Sequence, residues 1–262
     1  MCEALIYGAT KMNNSPEKPF ADQSNIETRV AETILEWGKT LIVAPHPDDE
    51  SLGCGGAIAL LRKYDQAVQV LTMSDGTLSH PNSKKFPPEK LRETREGEML
   101  AALETLGVGA DKITFLRYRD RNMPDENSAD FSAAVKTIKD YLIEHQPQTV
   151  VVPWRRDPHP DHRATWRIFN AATAQIERRF RVLEYPIWLW EMAETADLPQ
   201  EKNIKIWRLA IGEVVAEKQR AIHAHVSQTT DLIDDDPHGF RLSEEVLAHF
   251  ATPFEIYLEE VS

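Results

Sequence analysis

Cysteine is scarce in this sequence, with Cys2 and Cys54 the only two among 262 residues. Two thiols can form neither a disulfide framework nor a thiolate metal cage, because both need several closely spaced cysteines. The scarcity therefore excludes disulfide-stapled and thiolate-zinc architectures. We expect both thiols to be free and reduced.

Positive charge is also in deficit, with 30 Lys and Arg against 42 Asp and Glu and a formal net charge of −12. Such a charge repels phosphate backbones and anionic lipid surfaces, because binding to them depends on clustered Lys and Arg. We therefore expect no nucleic-acid partner.

Long hydrophobic runs are missing as well. No stretch approaches the roughly 18 apolar residues of a membrane span. The first ten residues contain Glu3 and lack the charged-then-apolar pattern of a signal peptide. The sequence therefore predicts no integral membrane segment and a cytoplasmic location.

What is present is an ordinary globular composition, with 42% hydrophobic and 27% charged residues. Such a chain can bury a sizeable core, and α/β folds of about 200–250 residues commonly form one unit. Residues 1–25 are polar and contain Pro16 and Pro19, which is typical of a flexible arm that carries no chemistry. We predict this arm and one α/β domain over residues 26–262.

Short β-branched runs alternate with helical patterns in the first part of this domain. The runs predict buried strands at Thr40–Pro45, Ala67–Met73, Lys112–Tyr118 and Thr149–Pro153. Apolar residues at helical spacing predict helices at Gly56–Tyr64, Glu89–Leu106 and Asp130–His145. The alternation implies a Rossmann-like, doubly wound α/β fold, with a mostly parallel sheet and helices on both faces.

Weaker patterns predict the other elements. Apolar residues at helical spacing over residues 26–37 predict a short amphipathic helix that ends at Gly38. Towards the C-terminus we predict helices His162–Arg179 and Glu213–His225, and strands Arg181–Trp190 and Lys205–Ile211. The acidic segment Leu232–Gly239 is interpreted as a solvated loop.

A polar cluster, His46-Pro47-Asp48-Asp49-Glu50, follows the first predicted strand. A histidine and three carboxylates so close together are unfavourable unless a cation binds there or water solvates them. In α/β enzymes, ligands bind where the chain leaves the carboxyl end of a strand. The cluster favours metal binding, with solvated loop groups or helix caps as the alternative.

A matching cluster, Asp157-Pro158-His159-Pro160-Asp161-His162, follows the fourth predicted strand. In the doubly wound strand order 3-2-1-4-5-6, strands one and four are neighbours, so the loops that follow them meet. Two imidazoles and one carboxylate are a known ligand set for catalytic zinc, which leaves a position for a water whose pKa falls to about 7.

The two clusters resemble the signatures of the LmbE-like, or PIG-L, family of zinc-dependent N-deacetylases. The resemblance extends to Arg95-Glu96-Gly97-Glu98, to the turn Tyr118-Arg119-Asp120 and to Ala224-His225-Val226-Ser227-Gln228. It implies an LmbE-like fold. It also implies an amide hydrolase that uses a metal-bound water to release acetate and a free amine from an N-acetylglucosaminyl conjugate.

The resemblance assigns roles to individual residues. It implies that His46, Asp49 and His162 hold the metal, which would be Zn²⁺ or, in the cell, Fe²⁺. Asp48 would be the general base, because its neighbour Asp49 ligates and leaves it free to take a proton from water and pass it to the departing amine. His159 could stabilise the oxyanion, with full effect if protonated; its alternative is a supporting or exposed loop histidine.

Three more side chains support the site in this interpretation. Asp161 is expected to orient a ligand imidazole, because metal-bound histidines usually donate their other N–H to an acceptor. The resemblance implies that Arg95 and Asp120 bind sugar hydroxyls, with a surface helix ion and a turn residue as the alternatives. For His225, on a predicted helix, packing or surface exposure is the favoured interpretation.

Other functions stay open at this stage. A ferrous-iron oxygenase can use the same two histidines and one carboxylate, and a non-catalytic binding protein can retain a structural metal. The aglycone would be selected by rim loops at residues 77–88, 121–129 and 191–203, which match no motif. A homo-oligomer is compatible with the sequence.

Overall fold

The computed structural model describes residues 26–200 and 202–261, so the predicted arm at residues 1–25 lies outside the described residues. The strands are β1 (Glu27–Arg29), β2 (Thr40–Ala44), β3 (Val68–Ser74), β4 (Ile113–Tyr118), β5 (Thr149–Pro153), β6 (Arg181–Tyr185), β7 (Ile204–Ala210) and β8 (Phe254–Glu260). The α-helices are α1 (Asp49–Lys63), α2 (Pro88–Thr105), α3 (Phe131–His145), α4 (Pro160–Thr173), α5 (Val215–Ala224), α6 (Val226–Thr229) and α7 (Glu244–Phe250). Short 3-10 helices cover Ala31–Trp37, Ala110–Lys112 and Thr195–Asp197.

The strands form one sheet in the order β4-β3-β2-β5-β6-β8-β7-β1. All run parallel except β8, which is antiparallel to both of its neighbours. The first five predicted strands therefore occupy the predicted order 3-2-1-4-5, and the mostly parallel α/β fold is confirmed. The sixth place belongs to β8, and the predicted strand at Lys205–Ile211 lies one place further out, as β7.

Sequence patterns do not predict strand β8, because acidic residues interrupt its apolar residues. Glu255 is buried in this strand and accepts backbone N–H bonds from Gly56 at 2.6 Å and Ala57 at 2.8 Å. Its carboxylate also accepts a hydrogen bond from Lys218 Nζ at 2.7 Å. These donors lie far away in the sequence, so only the folded chain makes a carboxylate acceptable there.

The predicted helix at residues 26–37 is wrong at its start. Residues Glu27–Arg29 instead pair in parallel with Trp207–Leu209 of β7, and a 3-10 helix follows at Ala31–Trp37. The helix buries Ile34 and Trp37. A sheet edge supplies backbone hydrogen-bond partners that local spacing cannot reveal, and these partners decide the conformation.

Helix α1 begins at Asp49, before the predicted start at Gly56. Its glycines let the helix lie close to neighbouring side chains: an added Cβ would come within 2.2 Å of the Tyr185 ring at Gly53 and within 2.6 Å of Ile211 at Gly56. The early start places Asp49 in the first turn, directly after β2.

Two predicted elements extend too far. Strand β6 ends at Tyr185 rather than Trp190, because Pro186 follows and has no backbone N–H for the sheet. Helix α4 ends at Thr173 rather than Arg179.

The sheet separates two layers of buried apolar side chains. In β2, Ile42 faces the layer that contains helices α1, α2 and α5, whereas Leu41 and Val43 face the layer that contains α3 and α4. Burial on both faces explains the nearly continuous apolar runs of the central strands. Helices therefore cover both faces, as predicted.

Cys54 lies within the first layer, buried and free, while Cys2 lies outside the described residues. Among the helices of residues 26–200 and 202–261, none has the length and apolar character that a membrane crossing requires.

Candidate metal centre and active site

The two polar clusters meet at the carboxyl ends of β2 and β5. These strands are adjacent and parallel, with Ile42 opposite Val151. Parallel neighbours end at the same edge of a sheet, so the loops that follow them lie together. His46 Nε2 accordingly lies 3.1 Å from Asp161 Oδ2, although the two residues are 115 positions apart in the sequence.

Asp49 lies between two histidines. Its Oδ2 atom is 3.2 Å from His46 Nδ1 and 3.2 Å from His162 Nε2. The backbone N–H of His46 donates to the same oxygen at 2.9 Å. All three side chains are buried. The structure thus brings the predicted ligand set into one place.

Further candidate ligand atoms surround His46. Donor atoms lie within 4.8 Å of one another both in the group His46, His159 and His162 and in the group His46, Asp120 and Asp161. Asp120 Oδ1 lies 3.6 Å from His46 Nε2. Carboxylates therefore approach His46 at both of its ring nitrogens.

The surroundings of the two His162 ring nitrogens indicate whether the site suits a metal. Both are buried and lie 3.2 Å from a carboxylate oxygen, Nε2 from Asp49 and Nδ1 from Asp157. Within the described residues, neither nitrogen forms an aligned hydrogen bond. A buried imidazole without a partner is unfavourable, and a cation that accepts its lone pair would remove the penalty. Imidazole and carboxylate donors suit Zn²⁺ and Fe²⁺, so these residues fit a divalent metal.

The local charges favour a cation too. Burial alone would lower the pKa of His46, but the neighbouring carboxylates of Asp120, Asp161 and Asp49 raise it well above its usual value. Asp49 and Asp157 likewise overcome burial and raise the pKa of His162 to about 9. The carboxylates thus favour positive charge at both imidazoles, and a bound divalent cation would supply such charge.

Asp48 has an unusual backbone conformation, with φ at 142°. A residue with a side chain is strained in this region and persists there only where its surroundings fix it. The Asp48 N–H donates to Glu50 Oε2 at 3.1 Å, and Asp48 Oδ2 accepts a hydrogen bond from Arg95 Nη2 at 3.0 Å. Burial raises the pKa of Asp48 to about 6, although Arg95 opposes the shift.

Arg95 and Asp120 are both buried, with 3% and 4% of their surfaces exposed, which excludes the surface-ion alternative for Arg95. Arg95 donates to the carbonyl oxygens of Pro47 at 2.7 Å and Gly76 at 2.9 Å as well as to Asp48. It therefore braces the loop that carries Asp48. Sugar binding by Arg95 or Asp120 stays a prediction.

His159 is the N-cap of α4, and its ring is neutral. Its Nδ1 accepts a hydrogen bond from the Asp161 N–H at 3.2 Å, so the ring proton lies on Nε2. Burial, together with the positive charges of His46 and His162, lowers the pKa of His159 to about 3. The protonated ring of the sequence interpretation is therefore disfavoured, but the neutral ring keeps an Nε2–H donor.

One known protein family matches the part of the chain that contains both polar clusters. The family model described as PIG-L: GlcNAc-PI de-N-acetylase matches residues 41–173, about half of the chain, and this range includes both clusters. The chain belongs to the PIG-L family. The resemblance drawn from the two clusters is confirmed.

Curated relatives of this PIG-L chain are deacetylases of amino-sugar conjugates. A 1D-myo-inositol 2-acetamido-2-deoxy-alpha-D-glucopyranoside deacetylase of Mycobacteroides abscessus is 30% identical over 177 residues, covering 60% of this chain and 63% of the relative. A probable N-acetyl-alpha-D-glucosaminyl L-malate deacetylase 2 of Bacillus cereus is 29% identical over 201 residues, covering 74% of this chain and 86% of the relative. The chain thus matches less than two thirds of the length of the mycobacterial relative.

A solved structure shares the fold. N,N'-diacetylchitobiose deacetylase from Pyrococcus horikoshii, in complex with its inhibitor MPG, superimposes with a TM-score of 0.59 at 24% identity, over 77% of this chain and 74% of that chain. The likeness supports the LmbE-like architecture of this PIG-L chain and shows the fold alone.

Glu50 and His225 form a buried pair behind Asp48 that sequence reasoning missed. His225 Nε2 lies 3.1 Å from Glu50 Oε1, across 175 positions of sequence. Glu50 in turn accepts the Asp48 N–H through its other oxygen. The one sequence signal for His225 is its place in the family-like segment Ala224–Gln228.

Asp157 also lacks a role in the sequence interpretation. It is fully buried, and its Oδ1 lies 3.2 Å from His162 Nδ1. Asp161, for which an orienting role at a ligand imidazole is predicted, lies beside the predicted ligand His46 and accepts the Arg121 N–H at 2.8 Å. The membership of Asp157 in the second polar cluster is the signal that could have found it.

The acidic segment Leu232–Gly239 is more than a solvated loop, since two of its carboxylates hold the rim loop at residues 77–88. Asp235 Oδ2 accepts the N–H groups of Lys84 at 2.8 Å and Lys85 at 2.9 Å, and Asp236 Oδ2 accepts the N–H of Asn82 at 2.8 Å. These partners lie about 150 positions away, so the sequence could not indicate the contact.

Proposed function

We propose that this protein is a metal-dependent N-deacetylase that hydrolyses the acetamide of an N-acetylglucosaminyl conjugate to acetate and a free amine. One observation carries the proposal: Asp49 Oδ2 lies 3.2 Å from nitrogens of both His46 and His162, next to the separate carboxylate of Asp48. Deacetylation of an amide needs both an activating centre and a proton carrier, and this arrangement offers a residue for each.

His46, Asp49 and His162 would hold the metal, for which Zn²⁺ is the first candidate and Fe²⁺ the second. When bound, such a metal lowers the pKa of a coordinated water to about 7 and polarises an acyl oxygen. The buried carboxylates around His46 supply the negative charge that retains a divalent ion in this position.

Asp48 would move the protons. A carboxyl group with a pKa of about 6 is mostly ionised at neutral pH, so it can accept a proton and then donate it to a departing amine. Arg95 donates to the Asp48 carboxylate, and Glu50 accepts the Asp48 N–H. Together these contacts hold the carboxylate in one orientation, which is what proton transfer to and from a bound substrate requires.

His159 would donate its Nε2–H to the acetamide oxygen as negative charge develops there. The neutral tautomer suffices, because Nδ1 is already occupied by the Asp161 N–H. Asp120, beside His46 and at the edge of the rim loops, is the candidate for a sugar hydroxyl contact.

The substrate class follows from the relatives, which act on N-acetylglucosaminyl groups joined to inositol or malate. These aglycones differ in charge and shape, so the rim loops would select between them. In this chain the loop at residues 77–88 is fixed by Asp235 and Asp236, which gives the rim a defined shape before substrate arrives.

The test is release of acetate and free amine from N-acetylglucosaminyl inositol, N-acetylglucosaminyl malate and diacetylchitobiose. Zn²⁺-loaded, Fe²⁺-loaded and chelated protein would be compared with Asp48→Asn. Asp140→Asn serves as a matched control, because Asp140 is exposed on α3 and pairs with the exposed Lys136 on the same helix. Release by the loaded wild type and the control, but not by chelated or Asp48→Asn protein, is expected. Oxygen uptake without acetate release from the iron-loaded protein would overturn the proposal.

A further inference from the structure

Asp157 is fully buried at the start of the second polar cluster, and its carboxylate has four neighbours that carry nitrogen. Oδ1 accepts the backbone N–H of His159 at 3.0 Å and lies 3.2 Å from His162 Nδ1. Oδ2 accepts the backbone N–H groups of Ile187 and Trp188, each at 3.1 Å. One carboxylate thus contacts the His162 ring, the backbone of His159 and the segment that follows β6.

We infer that Asp157 is a positioning residue. It fixes the metal-binding tautomer of His162 and connects His162 to the segment that contains Trp188. The inference deepens the proposed function, because it rests on His162 as a metal ligand. It does not depend on which substrate is hydrolysed.

The tautomer follows from the chemistry of the neighbours. An ionised carboxylate only accepts hydrogen bonds, so the His162 nitrogen beside it carries the ring proton. Asp157 Oδ1, 3.2 Å from Nδ1, is the carboxylate oxygen that this proton would face. A neutral imidazole has one N–H, so Nε2 keeps its lone pair, and this atom faces Asp49. Asp157, at Nδ1, therefore decides that Nε2 is the nitrogen free to bind a metal.

The other oxygen of Asp157 reaches the rim. Trp188, whose N–H it accepts, packs its ring against Phe240 in an edge-to-face contact with centroids 5.8 Å apart. The Phe240 N–H donates to the carbonyl oxygen of Ser79 in the rim loop at 2.6 Å. A chain of contacts thus runs from His162 through Asp157 to two segments that border the site. Displacing Asp157 would disturb the ligand and the rim together.

Asp157→Asn is the sharpest test, because the amide keeps the shape of the carboxylate but has only one oxygen. If its NH₂ faces His162, Nδ1 must accept and Nε2 carries the proton, which blocks metal binding. If the NH₂ faces Ile187 and Trp188 instead, it opposes two N–H donors. We expect Zn²⁺ affinity, measured by competition with a chromophoric chelator, to fall by about 10–100-fold, as for other partners of ligand histidines.

Asp236→Asn is the matched control. Asp236 is also buried and accepts backbone N–H groups, but these belong to Asn82 in the rim loop and to His238 in its own acidic segment. Its Zn²⁺ affinity and the visible spectrum of its Co²⁺ form should equal those of the wild type. An Asp157→Asn protein with wild-type Zn²⁺ affinity and an unchanged Co²⁺ spectrum would overturn the inference.

A measurement on the wild type covers the case in which Asp157→Asn fails to fold. Nitrogen NMR of ¹⁵N-histidine protein loaded with Zn²⁺ should show His162 with a proton on Nδ1 and coordination through Nε2. Coordination through Nδ1 would contradict the inference. Both measurements report metal binding, so a protein that binds metal as expected but releases no acetate would refute the proposed function and leave this inference intact.

Discussion

Arg95 Nη2 donates a hydrogen bond to Asp48 Oδ2 at 3.0 Å, and both side chains are buried. The same guanidinium donates to the carbonyl oxygens of Pro47 and Gly76. Gly76 has φ at 62°, and a Cβ at this position would lie 2.6 Å from Arg95 Nη1. The loops on both sides of Asp48 are therefore shaped around the arginine, which indicates an orienting role for Arg95.

Arg95→Met distinguishes this role from the predicted contact with sugar. Loss of orientation at Asp48 should lower kcat by about 100-fold with little change in KM, because misplacement of a catalytic group by about 1 Å has an effect of that size. Steady-state kinetics on the best conjugate measure both constants. Arg92→Met on the same helix is the control, since Arg92 pairs with the exposed Glu89 at 3.8 Å. A raised KM with unchanged kcat would assign Arg95 to the substrate instead.

Asp48→Asn and His162→Ala should separate proton transfer from metal retention. We expect Asp48→Asn to keep its metal and lose turnover by about 100-fold or more, because general acid–base groups contribute about 10²–10⁴-fold. His162→Ala should lose the metal itself, because a ligand atom is removed. Metal content after gel filtration, determined by atomic emission, checks both variants. Equal metal loss in the two would show that the roles are not divided in this way.

Lys218→Met should destabilise the fold strongly. Lys218 and Glu255 form an ion pair in which each side chain is 1% exposed, and loss of one partner leaves a buried charge. Breaking such pairs lowers the free energy of unfolding by about 3–5 kcal/mol. Lys63→Met is the control: Lys63 pairs with Glu213 at the surface, where the side chains are 47% and 39% exposed. Exposed pairs contribute little to stability, because water screens both charges. Urea unfolding measures the free energy of unfolding of both variants. A similar decrease in the two would contradict the prediction.

Two glycine substitutions in helices should have opposite effects on stability. At Gly53 an added methyl would lie 2.2 Å from the Tyr185 ring, so Gly53→Ala should lower the free energy of unfolding by about 1–3 kcal/mol. At Gly97, on α2, a Cβ meets nothing within 4 Å, so Gly97→Ala should raise it by about 1 kcal/mol through helix propensity. Thermal unfolding measures both. A Gly53→Ala protein as stable as the wild type would show that α1 can move away from β6.

The central strands were predictable because their signal is local. Strands β2 and β5 are buried on both faces, so every residue from Thr40 to Ala44 and from Thr149 to Pro153 is buried and the runs are mostly apolar. Strands β1 and β8 lack this signal. The short β1 forms because β7 offers a free edge, and β8 tolerates Glu255 because donors arrive from α1 and α5.

The candidate site also contains residues that the local sequence indicates and residues that only the fold brings together. His46, Asp49 and His162 belong to two short clusters whose composition indicates a metal, and the doubly wound strand order brings the clusters together. The side chains that contact Asp48 and Glu50 were not predictable as partners. Arg95 lies 47 positions from Asp48, and His225 lies 175 positions from Glu50.

The sequence by itself determined the family and the parallel order of the central strands, and it indicated the candidate ligands, because each depends on short motifs or on local hydrophobic periodicity. Only the tertiary structure decided which side chains support the ligands and how the rim is held. Asp157 accepts the N–H groups of Ile187 and Trp188, and Asp235 accepts those of Lys84 and Lys85. Hydrogen bonds between distant segments depend on how the chain folds in space, and no local pattern records them.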